Sequence, residues 1–270
     1  MISFVGAGPG APDLLTLRAR DRLAAADVVV WASSLVPEAV LRHVRAGAAV
    51  HDSASMTLED VLAVYAASPP EAAVVRLHSG DPSVYGAVQE QIDWCLANSH
   101  PFEIVPGVSS LGAAAAAVRR ELTVPGVAQA VVLTRLGGRT AESMPAGQSV
   151  AGFAAAGATM AVFLSAARPA ELVAELLAPG SAYSAETPAA IVVRASQPDE
   201  QVVLTTVGCL AADLDATGAR TTTLVLVGPA LAGAAGTDPS SAARSRLYSP
   251  GFAHGFRRRS RPGTTAGRPR

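Results

Sequence analysis

Short apolar runs of four to six residues recur along the chain, each followed by small and turn-forming residues and then by a stretch with apolar positions at helical spacing. The run at 2–5 is followed by a helix over about 14–25, which Asp13 or Thr16 can cap. The run at 28–31 leads through a loop into a short helix over 38–45. Residues 51–56 read as loop, and Thr57 caps a helix to about residue 67, with Asp60 in its first turn. Strands follow at 73–77 and 102–105, with helices over 84–97 and 111–120. Alternating strands and helices predict a mainly parallel sheet joined by right-handed crossovers.

The pattern changes after residue 121. Strands at 130–134, 159–164, 189–193, 201–205 and 222–227 lie closer together, with shorter helices at 149–156, 169–177 and 207–214 between some of them. The run at 201–205 reads as an edge strand, so the second sheet is expected to be mixed. The expected fold is therefore two α/β domains with an interdomain cleft: residues 1–121 with a mainly parallel sheet, and 122–232 with a mixed one. Residues 233–270 read as a basic, largely flexible tail.

Composition narrows the chemistry. Half of the 270 residues are hydrophobic, enough for two cores. No long uncharged apolar run and no basic leader is seen, so neither a membrane span nor a secretory signal is expected, and the cytoplasm is the default. Cys95 and Cys209 lie far apart, and the five histidines form no ligand-spaced pair, so no metal site is expected. Lysine is absent, which removes Walker-type phosphate binding and Schiff-base catalysis. Residues 1–232 hold 13 arginines against 21 acids, a balance of −8, while the tail carries 8 arginines against Asp238. An acidic body argues against a nucleic-acid partner.

The candidate chemistry lies in the loops after the strands. Gly6-x-Gly8-x-x-Ala11 has the spacing of a dinucleotide fingerprint, but Pro9 and Pro12 remove amides from the pyrophosphate position, and no acid follows the second strand. Loops 78–86, 106–110, 134–139 and 194–200 add glycines, hydroxyls and one prominent carboxylate, Asp81. Each alone is compatible with an ordinary strand-to-helix turn; together they suggest a ligand cleft between the domains. No nucleophile elbow or Ser-His-Asp spacing is present, so no catalytic side chain is assigned. That suits an enzyme whose reactive group arrives on a cosubstrate.

The loops Val5-Gly-Ala-Gly-Pro-Gly10, Ser79-Gly-Asp-Pro82 with Gly86, and Val105-Pro-Gly-Val-Ser109 resemble the signature loops of the tetrapyrrole (corrin/porphyrin) methyltransferases over about residues 2–230. Trp31 and Ser33 stand where that family is expected to have Tyr and Gly, and Val84 where Leu is usual. The resemblance implies S-adenosylmethionine (SAM) as cosubstrate, folded in the cleft. It places the cofactor contacts at Pro9, Ser79, Gly80, Asp81, Val84, Ser109, Ser110, Leu164 and Ala195. It also implies a homodimer, and a small-molecule tetrapyrrole substrate that is methylated on a ring carbon. Such a substrate carries several carboxylates, and Arg135, Arg139 and Arg194, at expected strand ends, are the candidates to meet them.

Overall fold

The structure, a computed structural model, describes residues 1–137, 142–233, 245–249 and 251–257. The first sheet holds β1 (Ile2–Gly6), β2 (Val28–Trp31), β3 (Ala49–Asp52), β4 (Val74–His78) and β5 (Phe102–Val105) in the order β3-β2-β4-β1-β5. All its pairings are parallel. β1 is buried along its whole length, as a strand covered on both faces must be. Val5, Val29, Leu77 and Val105 pack with α1 (Leu17–Ala25) on one face. On the other face Ile2, Phe4, Val30 and Val74 pack with Val61 and Tyr65 of α2 (Leu58–Ala67) and Ile92 and Cys95 of α3 (Gln89–Ala97).

After α4 (Ser110–Ala117) comes the second sheet: β6 (Val131–Arg135), β7 (Thr159–Phe163), β8 (Pro188–Val193), β9 (Gln201–Thr206) and β10 (Thr223–Val227), in the order β6-β7-β10-β8-β9. Only β6 and β7 are parallel; β10 runs antiparallel to β7 and β8, and β9 is an antiparallel edge strand. One face is covered by α5 (Val150–Ala154), α6 (Pro169–Leu176) and α7 (Leu210–Ala216). The other packs on α4: Ala113, Ala114 and Val118 touch the cluster of Ala161, Ala190, Val192, Leu224 and Leu226. The small side chains of α4 let the helix lie close to the sheet. So the helix that leaves the first sheet is part of the core of the second. Thr159 Oγ1 donates to the Leu122 carbonyl at 2.7 Å, and Arg120 donates to the carbonyls of Ala230 and Ala232, which fastens this junction.

Local signals behave as the chain suggests in several places. Thr16 caps α1, accepting from the Ala19 N–H at 3.1 Å, and Thr57 and Asp60 form a reciprocal capping box on α2. Elsewhere the structure differs. Residues 12–14 form a separate 3-10 turn, and α1 begins only at Leu17. The short helix expected at 38–45 is a 3-10 helix, Glu38–His43. Part of the expected loop 51–56 belongs to β3, an edge strand whose side chains are mostly exposed and so lack an apolar signature. α3 starts at Gln89 rather than near 84, because Tyr85 and Ala87 adopt left-handed backbone (φ 54° and 46°) that no α-helix tolerates. In the tail, Arg257 donates to the carbonyls of Ser249 and Phe252, tying together the described residues 245–249 and 251–257. Among the described residues no helix is long and apolar enough to cross a membrane.

Candidate functional site

Three loops leave the carboxyl ends of β1, β4 and β5, which are neighbours in the sheet. The connection from β1 runs to β2, whereas the one from β4 crosses to β5 on the far side of β1, so strand order reverses here. Such a reversal opens a crevice at the strand ends, where open α/β sheets bind ligands.

The three loops touch through backbone. Gly8 and Gly80 form an antiparallel bridge, with Gly80 N–H donating to the Gly8 carbonyl at 2.8 Å and Gly8 N–H returning at 3.2 Å. The Ala7 N–H donates to the His78 carbonyl at 2.8 Å. A Cβ on Gly107 would lie 2.1 Å from the Gly80 carbonyl oxygen, and one on Gly6 would lie 2.5 Å from Gly107 Cα. The glycines are therefore used for contact between main chains. The same bonds consume the amides that a pyrophosphate would need, which removes the dinucleotide reading of the Gly6-x-Gly8-x-x-Ala11 spacing on structural grounds.

Asp81 ties this arrangement together. Its Oδ2 accepts from the Gly107 N–H at 2.8 Å, and its Oδ1 accepts from the Ser83 N–H at 2.9 Å and from the Ser83 hydroxyl. Burial works to raise the carboxyl pKa, but the donors from Ser83 and Gly107 outweigh it and the net direction is down. The group is an anion at neutral pH.

The second domain closes the crevice. Ala11 N–H donates to Ser196 Oγ at 3.0 Å, and Gly10 faces the Gln197 side chain so closely that a Cβ would lie 2.4 Å from its Cγ. Between the domains lies a cavity of about 320 Å³. Pro9, Ser79, Gly80, Asp81, Val84, Ser109, Ser110, Leu164 and Ala195, the residues singled out in the sequence, all line it. Leu35, Tyr85, Phe163, Ser165, Ala166, Arg220, Thr221, Thr222, Thr223 and Leu224 line it as well, and sequence reasoning did not find them. The Thr221–Thr223 run was missed for a topological reason. β10 is antiparallel, so its start, not its end, lies beside the ends of β7 and β8; Thr223 is in register with Val193.

Leu164 and Thr222 on the cavity wall, with Arg194 and Ser196 beside it, have left-handed backbone (φ 51° to 68°). Non-glycine residues held in that region concentrate where function requires them. The three candidate arginines are not all brought to the wall. Arg135 donates to the Gly137 carbonyl and to Ser143 Oγ, and its charge acts on the Tyr85 phenol. Arg194 turns to Asp199 and Gln197, while its neighbour Ala195 lines the cavity. Arg139 lies outside the described residues. Among the described arginines, Arg220, paired with Asp215 at 3.0 Å, lines the wall.

Behind the loop, His78 is buried and makes a backbone hydrogen bond to Gly86, while its Nε2 has no partner among the described residues. Burial lowers its pKa to about 4, the neighbouring Arg76 pushes the same way, and the Gly86 bond opposes. The imidazole is thus neutral in the folded protein at neutral pH. Its folded pKa lies below the unfolded value of about 6.5, so as pH falls the unfolded chain takes up the proton first. Stability should fall as the pH drops from about 6.5 toward about 4, by roughly 3 kcal/mol in all from this group. Denaturant unfolding at pH 7 and pH 5 should show a smaller drop for His78→Gln than for the wild type; parallel losses would sink the assignment.

Comparison with known proteins places this geometry. Residues 1–211 match the family described as Tetrapyrrole (Corrin/Porphyrin) Methylases. The chain is 42% identical over 259 residues to a precorrin-4 C(11)-methyltransferase from Sinorhizobium sp, covering 96% of this chain and 98% of that one. It is 40% identical over 258 residues to a cobalt-precorrin-4 C(11)-methyltransferase from Methanocaldococcus jannaschii, covering 95% and 96%. Among solved structures, a cobalt precorrin-4 methyltransferase of cobalamin biosynthesis superposes with a TM-score of 0.81 at 39% identity, covering 85% of this chain and 95% of that one. A uroporphyrin-III C-methyltransferase from Thermus thermophilus, complexed with S-adenosyl homocysteine, gives 0.69 at 29% identity, covering 86% and 93%.

Proposed function

The chain belongs to the tetrapyrrole (corrin/porphyrin) methylases, and we propose that it is the SAM-dependent methyltransferase that methylates C11 of precorrin-4, or of its cobalt-containing form, to give the corresponding precorrin-5. The observation that carries the reading is the interdomain cavity, whose wall contains all nine residues that the family resemblance assigned to the cofactor.

The wall suits SAM chemically. Hydroxyls of Ser79, Ser109 and Ser110 and the backbone of the glycine loops can hold ribose and amino-acid polar groups. Pro9, Val84 and Ala195 supply apolar surface for a flat base, and Asp81 supplies the anion that a cationic ligand needs. Bound there, SAM supplies a methyl group already activated by its sulfonium. The protein's part is then alignment and exclusion of water. The loops of both domains, joined by the Ala11–Ser196 bond, fix the ligand across the cleft. No side chain is assigned a covalent role. The reading carries with it a homodimer in the cytoplasm, with no nucleic-acid partner.

The test is incubation of the purified protein with SAM and an enzymatically generated precorrin-4 pool, followed by mass spectrometry. The expected product gains one methylene unit, located at C11, with stoichiometric S-adenosylhomocysteine (SAH). Methylation at C2/C7, C17 or C20 would keep the family and overturn the C11 assignment.

A further inference from the structure

The loop that carries Ser79, Gly80, Asp81 and Val84 returns to the core just before α3, and it does so through strained backbone. Tyr85 and Ala87 both have left-handed φ, 54° and 46°, a region that residues with a Cβ avoid. Between them Gly86 packs so closely on Pro82 that a Cβ would lie 2.2 Å from the Pro82 carbonyl oxygen. The first turn of α3 has no side-chain cap to fix its start. Strain of this kind persists where the surroundings over-determine it. Two buried side chains do so here. His78 bonds to the Gly86 backbone. Gln91, 4% exposed, donates from Nε2 to the Ala87 carbonyl at 2.9 Å, while its Oε1 accepts from the Tyr65 hydroxyl at 2.6 Å.

Gln91 is the third residue of α3, the position from which a capping-box glutamine accepts from the N-cap amide; this one instead gives its N–H to the residue before the cap. Tyr65 decides which end of the amide faces the turn. Its phenol is fully buried, and burial raises its pKa, so it stays a neutral donor toward Oε1. Reversed, the amide would set Oε1 against the Ala87 carbonyl oxygen. The tie thus runs from α2 through α3 to the turn. On the outer side of the turn the Tyr85 ring meets Phe163 of the second domain, centroids 5.1 Å apart, and both line the cavity. The geometry points to Gln91 as a positioning residue for the cofactor site: oriented by Tyr65, it fixes the exit of the loop after β4, and so sets Val84 on the cavity wall and Tyr85 against the second domain. Neither Gln91 nor Tyr65 lines the cavity; both act through the turn. This rests on the reading of the cavity as the SAM site.

Gln91→Met keeps the length of the side chain and removes both bonds. Calorimetric SAH affinity should fall about tenfold, the scale of one lost buried hydrogen bond. Tyr65→Phe, a milder change that carries the test should Gln91→Met not fold, frees the amide to turn and should lose about threefold. The double variant should bind no more weakly than Gln91→Met, because the hydroxyl acts through the amide. Cys95→Ala, one turn further along α3 in the same apolar cluster, is the control for loosened packing: its melting temperature should fall while SAH affinity stays within about twofold. Hydrogen exchange over residues 83–89 of the ligand-free protein should quicken in Gln91→Met and not in Cys95→Ala. Wild-type affinity in Gln91→Met, or an equal loss in Cys95→Ala, overturns the positioning role and leaves the SAM site in place. A wild-type protein that binds no SAH overturns the reading of the cavity and the positioning role with it; quickened exchange then shows that the tie itself stands.

Discussion

Gly107→Ala should abolish measurable SAH binding, a loss of about a hundredfold or more, and lower the melting temperature by several degrees, as overpacking of about 1–3 kcal/mol does. The added Cβ would sit 2.1 Å from the Gly80 carbonyl oxygen, 2.7 Å from Gly6 Cα and 3.0 Å from the Gly6 carbonyl carbon. Every one of those atoms is backbone, so no side chain can swing aside to make room. Relief has to come from parting the loops after β1, β4 and β5, and that parting breaks the Gly8–Gly80 bridge and moves Asp81 off the Gly107 amide. These loops form one side of the cavity, so steric damage and binding damage arrive together. Gly112→Ala is the control: five residues further on, in α4, its Cβ would meet nothing within 4 Å. There alanine should be neutral or stabilise by up to about 1 kcal/mol through helix propensity, with SAH affinity unchanged. Calorimetry and thermal melts on both variants decide the matter; binding by Gly107→Ala within about twofold of wild type would show that the three loops are not locked as the main-chain distances indicate.

The contrast between these two glycines also shows what the chain discloses in advance. The parallel first sheet and the mixed second sheet follow from strand spacing and apolar runs, because strands buried on both faces are mostly apolar: β8 reads as an unbroken apolar stretch, β1 is interrupted only by Ser3, and β4 by Arg76 before it ends on His78. β3 escaped because it is an exposed edge with no such stretch. The loops at the ends of the parallel strands were legible as a ligand crevice, and the particular residues came from the resemblance of their motifs to a known family. Tyr85, Arg220 and the Thr221–Thr223 run were not legible. Their place on the wall depends on an antiparallel strand that begins where its neighbours end, and on left-handed backbone at Tyr85 that turns the side chain out of the expected path of a helix. Of the candidate arginines, Arg194 was placed correctly at a strand end, but its pairing with Asp199 directs it elsewhere. A strand-end position says where the backbone stops and does not say where a long side chain goes.

Asp81→Ala should weaken SAM and SAH binding by about tenfold to a hundredfold, the scale expected when a charged acceptor is removed and its donors are left unpaired. The structure separates two contributions. One is the tie between loops: the carboxylate holds the Gly107 amide with one oxygen and the Ser83 amide and hydroxyl with the other. The second contribution is negative charge on the cavity wall, available to a cationic ligand. Asp81→Asn keeps the shape and one good acceptor but loses the charge and one of the two oxygens. If the tie dominates, the Asn variant lies well above the Ala variant in affinity, and Ser83→Ala, which removes only the hydroxyl donor, reproduces a small part of the loss. If charge dominates, Asn falls to the level of Ala for cationic SAM while retaining more affinity for SAH, which lacks the sulfonium. The engaged oxygens favour the first pattern: both already accept bonds from the loops after β4 and β5, and those donors favour the ionised form. An Asp81→Ala variant with unchanged SAM affinity would remove the residue from the site and, with it, the account of how the three loops are held in register.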